Sequence, residues 1–231
     1  MAIRIHYLAF VGAVFLVGPP TGFAAQATQT PSAAGAPAPS DVNTNRYLRA
    51  AAEPFENLTE ISFSAAWPKI DRAIGQAEAA ATGVRGALTG EAAGQLNARI
   101  AAIKSARHKR DRAELALSSI ETYRVLVSAV TDNAKVPTEV SLLDYAGFRY
   151  DANLKATATG WDDMARAASF ARATWKAVAP RVKTSPVATR FEKALTDMEN
   201  AAVQRSKSLA ASSVKAELEL VDQLENFFSR H

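Results

Sequence analysis

From about residue 43 onward, apolar side chains recur at intervals of three and four, without the sustained every-second-residue alternation of a half-buried strand. Glycine and proline fall mostly at a few punctuation points between these periodic stretches. Tyr47, Leu48, Ala51, Ala52 and Phe55 mark a first short helix that Pro54 is able to kink or end. Asn57-Leu58-Thr59 leads into a longer helix carrying Ile61, Trp67, Ile70, Ile74 and Ala77, with Thr59 as its cap and a start or bend expected at Pro68. Gly83, Gly86 and Gly90 close this unit, and Thr89 with Glu91 opens the next in a capping arrangement.

A long helix is expected from about 90 to 131 on the stripe Leu96, Ile100, Ile103, Ala106, Ala113, Leu117, Ile120 and Val127. Its apolar face thins to alanine around Arg107-His108-Lys109-Arg110-Asp111-Arg112. The next helix opens at Thr138 and ends at Gly160, and another runs from Trp161 to Pro180. The last begins near Pro186 and continues to the C-terminus through Phe191, Leu195, Met198, Leu209, Val214, Leu218, Leu224 and Phe228. Three long helical units and two shorter ones predict an all-α fold, an antiparallel helical bundle of four to five helices over residues 43–231.

The N-terminal stretch follows another pattern. Arg4 precedes an apolar run from Tyr7 to Val17 that Gly18-Pro19-Pro20 breaks. The run matches a signal-peptide core and falls short of the roughly 20 residues a membrane-spanning helix needs. Small residues place cleavage after Ala24, Ala25 or Ala27, so residues 1–25 read as a signal peptide and the protein as periplasmic or secreted. Residues 26–42, rich in alanine and proline, offer almost nothing apolar to bury and read as a disordered linker.

Composition then removes chemistry. Cysteine is absent, which excludes disulfides, thiolate metal sites, covalently attached haem and a lipoprotein anchor. The formal charge of +4 is modest for the length and gives no nucleic-acid footprint. Histidine is confined to His6, His108 and His231, and no His-Glu-x-x-His, paired Glu-x-x-His or phosphate-loop pattern occurs. No catalytic residue is assigned, no cofactor is expected, and the chain is read as non-enzymatic.

One polar-aromatic segment stands out as a ligand-binding candidate. Asp144, Phe148 and Asp151 share one helical face, while Tyr145 and Arg149 share the adjoining one. Gly147 between them predicts close approach of another helix or a ligand. The segment is expected to face Trp67, Trp161 or Trp175, forming a small-ligand cavity with carboxylates or Arg149 orienting its occupant. Two further readings come from other classes. Met164, Met198, His108 and His231, with the two aspartates, are the residues a metal- or haem-handling bundle would use. Arg107, Lys109, Arg110 and Arg112 are those an envelope-interaction protein would lay against an anionic surface or an acidic partner, unless Asp111 and Glu114, or the acids of the last helix, neutralise them. The expected function is therefore binding, of a small ligand or a periplasmic protein.

Overall fold

The computed structural model describes residues 41–131, 134–182 and 185–230. The expected signal peptide and all but the last two residues of the linker lie outside them, whereas Asp41 and Val42 already belong to the first helix. The described residues form eight α-helices and no strand: α1 (Asp41–Ile61), α2 (Trp67–Val84), α3 (Gly90–Lys109), α4 (Arg112–Ser128), α5 (Thr138–Lys155), α6 (Trp161–Val182), α7 (Pro186–Gln204) and α8 (Lys207–Arg230). A short 3-10 turn, Arg85–Ala87, follows α2.

Eight helices replace the expected four to five, and two breaks account for most of the difference. The helix expected over 90–131 folds back at Arg110, which adopts φ 55°, and Asp111 then caps α4 by accepting a hydrogen bond from the Glu114 amide at 3.0 Å. The last helix folds back in the same way at Arg205, φ 52°, where the Ser206 hydroxyl accepts from the Leu209 amide. In both turns the amide of the residue after the arginine reaches five residues back, Asp111 to the Ala106 carbonyl and Ser206 to that of Ala201. That closure satisfies carbonyls a helix end leaves open, and glycine usually supplies its left-handed residue.

Proline behaves differently at each of its sites. Pro68 stands in the first turn of α2, where its missing N–H costs nothing. Pro54 lies inside α1, which continues through it to Ile61, so the expected short first helix is longer. Burial of Phe55 and Leu58 just beyond it offsets the lost hydrogen bond. Thr59 is correspondingly no cap: its hydroxyl donates to the Phe55 carbonyl within α1, and Ala66 precedes α2 without a side-chain cap.

The helices group as two sets of four with the same order of neighbours. In the first set α1 packs on α2 and α4, and α3 packs on α4. In the second, α5 packs on α6 and α8, and α7 packs on both α6 and α8. Contact of α4 with α5 joins the sets, so these two helices are covered on most sides. One seam differs: α6 and α7 pack closely, whereas α2 and α3 barely touch and are linked by the Arg107–Asp71 and Lys104–Glu78 ion pairs.

Candidate functional site

Because α4 is enclosed by α1, α3 and α5, most of its side chains are apolar or small, and one polar stripe interrupts them. Glu114, Leu117, Ser118, Glu121 and Arg124 recur at three- and four-residue spacing and therefore face one way. They line an open cleft of about 370 Å³ together with Arg99 of α3, Arg149 of α5 and Asp163 of α6. The cleft thus lies where the two four-helix sets meet, with α4 and α5 as its floor.

Glu121 is the hub. Its side chain is 12% exposed, and its Oε1 accepts from the Tyr145 hydroxyl at 2.6 Å and pairs with Arg149 at 3.0 Å. The other oxygen, Oε2, takes Arg124 at 3.2 Å and Arg99 at 3.6 Å. Arg149 donates also to the Tyr145 oxygen and, through two nitrogens, to both oxygens of Asp163 at 2.5 and 3.0 Å. Asn153 holds the same carboxylate at 2.7 Å, and Arg166 adds a further contact from α6. The bidentate Arg149–Asp163 pair ties α5 to α6, while Glu121 ties α5 to α4 and, through Arg99, to α3.

These contacts set the protonation of the site. Burial, and then donation to Glu121, push the Tyr145 phenol up to about 12. Burial works against the Arg149 cation, but hydrogen bonds to Asp163 and Tyr145 outweigh it and raise its pKa. Burial would raise Asp163, yet the bonds from Arg149 prevail and hold its carboxyl below the usual range. All three keep their ordinary charge state at neutral pH. Phe170 of α6, 36% exposed, packs edge-on against the Tyr145 ring at 5.4 Å, and the Arg124 guanidinium lies 5.6 Å from that ring's centre.

Of the five residues singled out in the sequence, the structure brings Tyr145 and Arg149 to this network. The other three lie elsewhere. Asp144 and Phe148 are buried, and the charge of Asp144 adds to burial in raising the Tyr123 phenol. Asp151 pairs with Lys155 at 2.5 Å, one turn along α5. Gly147 meets α8: a Cβ there would overlap the Glu217 carboxylate and approach Leu218 Cδ2 to 2.6 Å. The close approach expected of Gly147 is therefore made by a helix. Trp175 stacks on Phe191 at 4.4 Å and donates to Glu192, and Trp67 is held between the guanidinium groups of Arg107 and Arg112.

The residues of the other two readings are also placed. Met164 and Met198 are fully buried, His108 is exposed, and His231 lies outside the described residues. Among the described residues no three histidines or acids gather closely enough to hold a metal ion. In the basic run, Arg107 pairs with Asp71 on α2, and Arg112 donates to the Ser62 and Ala65 carbonyls. Lys109 and Arg110 are exposed. The partner of Arg107 is thus an acid of α2, neither Asp111 or Glu114 nor an acid of the last helix. No described helix is long and apolar enough to cross a membrane.

Sequence reading missed Arg99, Glu114, Ser118, Glu121, Arg124 and Asp163. The α4 stripe was the available signal, since four polar side chains at positions 114, 118, 121 and 124 interrupt a face otherwise rich in small and apolar residues. Comparison with protein-family models, with curated proteins and with solved structures finds no significant match to this chain.

Proposed function

We propose that the chain is a non-enzymatic, exported helical protein that binds a small polar ligand in the cleft between α3, α4, α5 and α6. The observation that carries this reading is the Glu121–Tyr145–Arg149–Asp163 network, a preorganised polar floor under an opening of about 370 Å³. Such a floor presents fixed donors and acceptors without having to order flexible side chains on binding. The non-enzymatic part rests on protonation: the Tyr145 and Asp163 shifts run away from neutrality, whereas a general acid or base works best with a pKa near the operating pH. Export rests on the apolar run 7–17 and the small residues at 24–27. The metal or haem reading has no comparable support, since the two candidate methionines sit in the core, where gap-filling is their common use.

The test is native mass spectrometry of protein recovered from the compartment in which it accumulates, beside an Arg149→Met variant. Binding at the cleft predicts an additional small mass on the parent protein that the variant loses while its helical circular dichroism persists. A ligand retained equally by both proteins would place binding elsewhere, and a bare parent mass under gentle ionisation would overturn the reading. The same spectra report the mature N-terminus, expected just after Ala24, Ala25 or Ala27.

A further inference from the structure

The cleft is polarised along its length. Going along α4, the exposed acid Glu114 comes first, then Leu117 and Ser118, then Glu121, which is largely buried with both oxygens already engaged, and last the base Arg124. The solvent-open charges thus run from acid to base over about 15 Å at the helical rise. At the far end Arg99 of α3 joins Arg124, and both guanidinium groups are partly open to solvent, at 42% and 35%. A guanidinium carries five N–H donors. Arg99 makes one contact to Glu121 and Arg124 makes two, all to the same oxygen, so donors remain at this end. At the near end Glu114 is exposed and has one oxygen bonded to the Ser118 hydroxyl, leaving acceptor capacity on the other. Leu117 between them is half-buried.

The charges of the lining also balance. Arg99, Arg124 and Arg149 oppose Glu114, Glu121 and Asp163. A lone anion or cation entering such a site leaves one unit of charge uncompensated in a partly desolvated space, which is unfavourable. A ligand carrying both charges adds none, and the asymmetry of the cleft orients it. From this we infer that the ligand is an amphoteric small molecule, with a carboxylate held by Arg99 and Arg124, an ammonium held by Glu114, and a short apolar stem lying over Leu117. The inference rests on the binding role proposed for this cleft and names the chemistry of its occupant.

Calorimetric titration of the full chain with 6-aminohexanoate, hexanoate and hexylamine tests it, since the three probes share a stem and differ only in their ends. The amphoteric probe should bind about tenfold more tightly than either singly charged one, the effect of one added charge-assisted contact at a half-open site. Glu114→Gln should remove the advantage over hexanoate and Arg124→Gln the advantage over hexylamine, each leaving the other comparison intact. Both positions are partly exposed, so the variants are expected to keep the parent's melting temperature. Equal affinities for the three probes, or no saturation by any of them or by the four- and eight-carbon homologues of the amphoteric probe, would overturn the inference. If a native ligand is nevertheless lost on Arg149→Met substitution, the cleft binds and only its ligand class has been misassigned.

Discussion

Two glycines in helices of this protein have opposite reasons to be there. At Gly147 a methyl group would meet the Glu217 carboxylate and Leu218, so Gly147→Ala must displace these side chains in the packed α5–α8 contact. Overpacking of this kind costs about 1–3 kcal/mol. At Gly75, in the exposed part of α2, a methyl group meets nothing, so Gly75→Ala should stabilise by about 0.5–1 kcal/mol through helix propensity. Urea unfolding of the two variants should therefore move in opposite directions. The titrating groups of the cleft give a second residue-scale expectation. The folded pKa of Asp163 lies below its unfolded value near 3.8, so its contribution is complete above that value and is lost as the pH falls through the folded one. Tyr145 has the reverse sign, with a contribution complete below its unfolded pKa near 10 and lost as the pH rises through about 12. Asp163→Asn should flatten the acid limb of a stability–pH curve, and Tyr145→Phe the alkaline limb above pH 10.

At the scale of elements, the two hairpin turns are built alike from an arginine with positive φ followed by a capping residue. A left-handed conformation costs a non-glycine residue about 1–2 kcal/mol, while glycine costs about 0.5–1 kcal/mol in chain entropy. Arg205→Gly should consequently stabilise slightly, and Arg205→Val should destabilise, because a β-branched side chain tolerates positive φ least. Thermal melts in the order Gly above Arg above Val would bear this out. Asp111→Ala removes the N-cap of α4 and is expected to cost about 1 kcal/mol by the same measurement.

For the whole molecule, the decisive fact is that α4 and α5 connect two four-helix sets and that the cleft opens over this connection. Neither set alone contains the site, since Glu121 comes from the first and Arg149 and Asp163 from the second. The sets are unequal in closure. α6 has packing neighbours on both sides, in α5 and α7, whereas α2 rests on α1 and meets α3 mainly through ion pairs. Exposed pairs of this sort contribute at most about 1 kcal/mol, so α2 is held more weakly than α6. Hydrogen exchange should show the most protected amides of α2 opening roughly tenfold more often than those of α6, or faster still. Equal protection would mean that the α2–α3 seam is as strong as its counterpart.

What the chain itself determined is the helical class and several helix ends, because both follow from local chemistry. Apolar recurrence at three and four excludes strands, and Pro68, Thr89, Thr138, Trp161 and Pro186 each stand within a residue of where a helix begins. The helix number was decided by tertiary structure. A left-handed arginine is locally unfavourable and carries no mark of its own, so only the packing of α3 on α4 and of α7 on α8 makes the reversals at Arg110 and Arg205 worthwhile. Continuity through Pro54 likewise depends on the burial of Phe55 and Leu58. Of the cleft, the Tyr145–Arg149 pair was legible because four-residue spacing places two side chains on one helical face. Their partners Glu121 and Asp163, and Arg99 that pairs with Glu121, come from three other helices, and no local spacing relates residues that meet only when separate helices pack together.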